Sequence, residues 1–169
     1  GLWSDAIWNP GSVAGPTANT DTATINIGGN VTINSLTIDS PVAINSGATL
    51  IADAQVGVGN VTLGGNLTGS GTLTKTGGWS LLLSGDNSGF SGTINADVSN
   101  ILFTADSAGS AAADWVLSSG ANVVNNMTGA GHTIKLGSLA GTGGYLGGGN
   151  ASGAAVTFEI GGNGKSTTF

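Results

Sequence analysis

The chain has no cysteine and one histidine, and its only basic residues are Lys75, Lys135 and Lys165. The lack of cysteine removes disulfide frameworks and thiolate metal sites from consideration. Three scattered lysines give no basic footprint for a phosphate backbone or an anionic lipid surface, so nucleic acid is excluded as a partner. His132 is the single candidate for a histidine-based triad. No apolar run approaches the ~20 residues of a membrane span, and no signal peptide is visible. Only 7% of residues are charged, with a net charge of −6; a typical soluble domain carries roughly 25%. Surface solubility therefore falls to Asn, Ser and Thr, a pattern that together with zero cysteine fits an exported surface protein.

What fills the chain instead is glycine, 32 residues of it, with Asn, Ser, Thr and Ala. Such a composition alone reads as low complexity. The mean hydropathy is nevertheless +0.24, and Val, Ile and Leu recur at short regular spacing. That regularity favours an ordered, turn-rich, all-β chain of one domain.

The segment from Gly69 to Ala96 is the most informative. Three short runs, Thr72-Leu73-Thr74, Leu81-Leu82-Leu83 and Thr93-Ile94-Asn95, are divided by Gly, Asn and Ser turns and have no helical period. One such unit cannot bury its apolar side alone. Stacked copies close a core, which is the logic of a β-solenoid. Further strands are expected at Thr22–Ile27, Val31–Ile38, Val42–Asn45, Thr49–Ala52, Val56–Val58, Val61–Leu63 and Asn66–Thr68. Others follow at Ile101–Thr104, Trp115–Leu117, Asn122–Asn125, Thr133–Leu136 and Val156–Ile160. Residues 105–113 read as a corner loop, the one place where a helical turn would fit. Rungs of roughly 20–25 residues give about six to eight turns. Expected inward residues include Leu50, Leu73, Leu81, Leu83, Ile94, Val116, Ile134 and Ile160, and Asn in matching corners would stack as an amide ladder. Residues 1–21, with Trp3, Trp8, Pro10 and Pro16, read as an N-terminal cap over the edge of the first rung; residues 22–169 read as the solenoid.

The run Gly71-Thr72-Leu73, Lys75, Gly77, Leu81, Leu83, Gly85, Asn87, Gly92-Thr93-Ile94 resembles the autotransporter passenger-associated β-strand repeat. Trp79 stands where that pattern usually has Gly, and Phe90 where it usually has Tyr. The stretch His132–Gly148 and the segment Val156–Asn163 are similar to the same family, as is the opening Trp3–Gly11. The resemblance implies a right-handed parallel β-solenoid, or β-helix, in agreement with the general handedness of crossovers. It also implies an extracellular or cell-surface bacterial protein, and it supplies no catalytic residue or cofactor.

Motifs for chemistry are sparse. No Gly-x-Ser-x-Gly elbow accompanies His132. The carboxylates lie apart in sequence, mostly beside Asn, Ser or Gly, where Asp forms turns; stacking would have to bring Asp39 near Asp53, or Asp86 near Asp106, to make a glycosidase pair. Gly161-Gly162-Asn163-Gly164-Lys165-Ser166 fails as a phosphate loop, since Glu159 occupies the place of its first glycine. Calcium nonapeptide repeats and His/Cys clusters are absent. Five Asn-x-Ser/Thr sequons, at Asn30, Asn60, Asn66, Asn126 and Asn150, matter only in a host that glycosylates them.

The expected function is therefore structural: a scaffold or stalk module, adhesive at its corners, without enzymatic activity and without a cofactor. Phe169 falls mid-pattern, so the end residues Ser166, Thr167, Thr168 and Phe169, with Trp3 and Trp8 at the other end, are the candidate surfaces for head-to-tail self-association or for contact with neighbouring modules. The alternative is a carbohydrate-binding module or a degenerate polysaccharide-acting β-helix, with surface glycans as partners. It requires Trp3, Trp8, Trp79, Trp115 or Tyr145 to be exposed in a row.

Overall fold

Alternation of apolar and small polar residues, interrupted by glycine, can bury one side of each strand only if another strand of the same kind lies above it. A computed structural model describes residues 25–148 and 155–169. It contains fourteen strands: β1 (Ile25–Ile27), β2 (Asn30–Asn34), β3 (Thr37–Ile38), β4 (Val42–Ile44), β5 (Thr49–Asp53), β6 (Val61–Leu63), β7 (Leu67–Gly69), β8 (Thr72–Thr76), β9 (Leu81–Leu83), β10 (Thr93–Phe103), β11 (Ser110–Asn125), β12 (His132–Gly141), β13 (Tyr145–Gly147) and β14 (Val156–Ile160). Every pairing between them is parallel. The fold is a parallel β-solenoid of about six turns. At ~4.8 Å per step, the first and last rungs lie roughly 25 Å apart.

Each turn has three sides. Side one carries β2, β5, β8 and parts of β10, β11 and β12. Its register runs Asn30↔Thr49, Thr49↔Thr72, Thr72↔Thr93, Thr93↔Asp114 and Asp114↔Ser138, in steps of 19 to 24 residues. Side two stacks β3, β6, β9 and the ends of β10 and β11, then β13. Side three stacks β1, β4 and β7, passes through a Gly69↔Phe90 bridge, and continues in the starts of β11 and β12 and in β14. β10 turns the corner from side one to side two through a register shift between Ala96 and Val98, with Ser99 at φ 62.

The core is a set of ladders. Val31, Leu50, Leu73, Ile94, Trp115 and Leu139 form one inward column on side one. Val61, Leu81, Ile101 and Val123 form another on side two, all fully buried. Trp115 packs against Phe103 with ring centroids 5.5 Å apart and planes tilted by 58°, a favourable aromatic geometry. Close rung contact explains several glycines. A Cβ at Gly77 would strike the Ala54 carbonyl carbon at 2.7 Å, and its φ of +76 is unfavourable for any side chain.

Several expectations are corrected. Val56–Val58 is a turn with Val56 74% and Val58 68% exposed, because the 55–60 loop bulges out of the rung. Val31–Ile38 is two strands, broken at Ser35 with φ 42. Val116 faces outward: the register pairs Trp115 with Ile94, so parity turns Trp115 and Leu117 inward. The run Trp-Val-Leu leaves that parity undefined in sequence. Ile160 is half-exposed because β14 pairs on one edge only, with β12. The 105–113 stretch contains a 3-10 turn at Asp106–Ala108 and then enters β11 at Ser110. The expected cap at residues 1–21 lies outside the described residues.

Leu117→Ala is expected to lower unfolding free energy by about 2–5 kcal/mol, and Val116→Ala by about 0.5 kcal/mol or less. Urea unfolding of the two variants checks the parity; equal losses would contradict it.

Candidate functional site

Strand alternation places one side chain of each pair inside whatever its chemistry, and this is how a lysine enters the core. Lys75 occupies the inward column Ile33, Ala52, Lys75, Ala96, Leu117. Ala52 and Ala96 above and below leave room for its stem, and the residue is fully buried. Its ammonium reaches the corner between sides one and two and donates to the carbonyls of Thr76 at 2.6 Å, Gly77 at 2.8 Å and Val98 at 3.3 Å. Burial pushes its pKa down to about 8, and the carboxylates of Asp53 and Asp97 offset part of that fall.

A second buried polar group holds the corner before side three. The Asn87 side chain accepts from the Leu67 N–H at 2.8 Å and donates to the Ala108 carbonyl at 2.9 Å, so one amide joins three successive rungs. Stacked side-chain bonds also occur in the corner between sides one and two. Asn122 donates to Asn100 at 3.0 Å, Asn100 donates to the Ser80 hydroxyl at 3.5 Å, and the Ser80 N–H donates to Asn60 at 3.0 Å. The expected amide ladder is thus realised in the Asn122–Asn100 step, with Ser80 in place of an amide in the next rung. Two buried donors, Trp115 Nε1 and Asn125 Nδ2, have no partner among the described residues.

The candidate catalytic groups separate. His132 Nδ1 lies 2.9 Å from Asp106 Oδ1, and Nε2 lies 3.1 Å from the Thr128 carbonyl. Both ring nitrogens therefore face acceptors, not a serine nucleophile. Only the imidazolium can donate to both, which raises the pKa above 6.5, chiefly through the Thr128 carbonyl and then Asp106. Asp53 stacks between Asn34 and Thr76, not against Asp39. Asp86 accepts from the Ser88 N–H at 3.0 Å, a turn role, and those Ser88 hydrogen bonds lower its pKa. Asp86 and Asp106 do line one open groove of about 620 Å³, with Thr133, Lys135 and Asn163. Among the described residues no group of His, Asp and Glu is arranged to hold a metal.

The glycine turn at 161–164 directs Lys165 to Asp114 at 2.6 Å, and Asn163 and Ser138 donate to the same carboxylate at 2.9 and 2.7 Å. These partners hold the Asp114 pKa below its usual value against the opposing effect of burial. The candidate end residues follow. Thr167 donates to the Leu139 carbonyl at 2.5 Å, and the Thr168 carbonyl accepts from the Gly141 N–H at 3.1 Å. Ser166 and Phe169 are exposed. Thr167 and Thr168 thus lie beside the end of β12. Trp3 and Trp8 lie outside the described residues.

Two features escaped the sequence reading. Lys75 counted as an isolated charge and as a match to the repeat pattern, although its place in the alternation of Leu73 and Lys75 marks it as inward. Nothing in sequence marked Asn87 as the amide that spans three rungs. Comparisons with protein-family models, characterised proteins and solved structures find no match to this chain.

Two pH dependences follow. The unfolded chain keeps the Lys75 proton up to its ordinary value of 10.5, the folded chain only to about 8. Unfolding takes up a proton between these values, so stability rises with pH across that window. Wild type is expected to gain stability relative to Lys75→Met as pH rises from 8 toward 10.5 in a urea series; parallel curves would place the ammonium in water. His132 has the opposite sign. Its folded pKa is raised above 6.5, so its contribution is whole below 6.5 and is lost as pH rises through the raised value. The stability difference between wild type and His132→Gln should shrink over that range, and a constant difference would refute the two-acceptor arrangement.

Proposed function

We propose that the chain is a structural module, a stiff extracellular scaffold or stalk of a bacterial surface protein. One observation carries this reading: parallel pairing continues from β2 through β5, β8, β10 and β11 to β12 without a gap. Every rung is hydrogen-bonded to its neighbours, and such a stack resists local opening because separating one rung breaks two ladders. The resemblance of Gly69–Ala96 to the passenger-associated repeat supports the surface location. The side-chain chemistry is consistent with it too, since His132, Asp86 and Asp114 are each engaged in local structural bonds.

End-to-end association is part of the proposal. β13 and β14 each pair on one edge only among the described residues, with β11 and β12. Ile160, the last residue of β14, and Phe169 are half-exposed. A strand edge with apolar neighbours is a template for strand addition, and the repetition of that contact makes a filament.

Negative-stain electron microscopy over a concentration series tests the assembly. Fibres with a regular axial repeat are expected at high concentration, and Phe169→Asp should shorten them; single rods throughout would remove the filament reading. Limited proteolysis tests the scaffold. Among the described residues the first cuts are expected in the exposed 55–60 and 126–131 loops, and rapid cleavage inside the strands β8, β10, β11 or β12 would contradict a stiff stack.

A further inference from the structure

We propose that the corner between sides one and two is a binding strip for a neutral oligosaccharide lying along the stack axis. The register places five residues in one outward column. Asn100 pairs with Asn122, and Asn122 with Tyr145. The pairs Ile101↔Leu81 and Val61↔Leu81 set Ser80 opposite Asn100 and Asn60 opposite Ser80. The hydrogen bonds running along this column fix the amides in place. They do not exhaust the amides, each of which has two donors and an oxygen with two lone pairs. Asn60 is exposed, and Ser80, Asn100 and Asn122 are half-buried, so the remaining donors and acceptors are accessible for hydroxyl groups.

One aromatic, Tyr145, ends the column, and another, Trp79, stands beside Ser80, one rung in from Asn60. Trp79 is 44% exposed, and its backbone N–H donates to the Ala54 carbonyl at 2.8 Å. Tyr145 is 53% exposed, and its ring lies across Gly147, where a Cβ would collide with the ring and the hydroxyl. The glycine thus lets the phenol lie flat on β13. Trp79 and Tyr145 are three rungs apart, roughly 14 Å. A pyranose ring has an apolar C–H face and a rim of hydroxyls. The face suits an aromatic platform, and the rim suits planar amides that both donate and accept. Two platforms with amides between them fit a short chain of sugars better than one ring.

The charge around the strip selects for a neutral chain. Asp53 and Asp97 flank the corner closely enough to act on Lys75, and the net charge is −6. A peptide strand is the poorer fit, because β9 and the end of β10 are paired on both edges and offer no free ladder.

Native affinity electrophoresis tests the site, with soluble β-glucan, mannan and galactan as neutral probes and alginate as the anionic one. Retardation by at least one neutral polymer is expected, with none by alginate. Trp79→Ala and Tyr145→Ala should each weaken it by roughly tenfold, and Asn122→Leu should weaken it as well. Ser88→Ala, on another side of the stack, should bind as wild type. All four positions are at least partly exposed, so unchanged urea midpoints will separate lost binding from lost folding. Binding by no neutral polymer, binding by alginate alone, or binding that survives both aromatic substitutions overturns the proposal. Such a failure leaves the fibre and proteolysis results untouched, so the scaffold reading stands or falls separately.

Discussion

Each rung is hydrogen-bonded through the same parallel ladder to the rungs beside it, so a residue's place in its rung fixes which residues 17 to 26 positions away it touches. Everything else depends on that register. It aligns Leu50, Leu73, Ile94 and Trp115 into one apolar column, and it sets which of two adjacent residues faces the core. A slip of one residue would reverse every side chain of a strand. The apolar columns and the ladder therefore reinforce each other: burial favours one register, and the register makes burial continuous.

The same constraint explains the polar groups inside. Lys75 is inward because Leu73 is inward, and no other orientation is open to it. The structure accommodates it with alanines in the adjacent rungs and with carbonyls at the corner, where turning strands leave acceptors unpaired. Asn87 works in the reverse sense. There the backbone has an N–H at Leu67 and a carbonyl at Ala108 without ladder partners, and one amide serves both. Buried backbone groups of this kind are costly when unpaired, so the corners are where specific side chains are required and the flat sides are where any apolar residue of suitable size suffices.

Corners also carry the surface chemistry. On the sides, outward residues are short and polar, chiefly Thr and Asn. At the junction of sides one and two the chain bulges, and Val56, Val58, Trp79 and Val98 project into solvent. A stiff stack holds such projections at a fixed axial spacing, which joins the scaffold role to the proposed recognition of an extended chain. One element supplies the rigidity and the spacing, the other the contacts.

The architecture was legible in the sequence because it rests on local and repeated signals. Alternation in Thr72–Thr76 and Val61–Leu63, glycine between runs, and the lack of a helical period are enough to require stacking, since a strand with one apolar side must find a partner. The core positions Leu50, Leu73, Leu81 and Ile94 follow from the same period. Parity failed where three apolar residues stand together, as at Trp115-Val116-Leu117, because periodicity then gives no phase. Contacts between rungs were not legible either. Which residue meets Asn87, that Asp53 stacks on Thr76 and not on Asp39, and that Trp79 and Tyr145 lie along one corner all depend on rung lengths, with register steps that vary between 17 and 26 residues. Local pattern determines that the chain stacks. The lengths of its turns, summed over the whole stack, decide what sits above what, and that sum exists only in the folded structure.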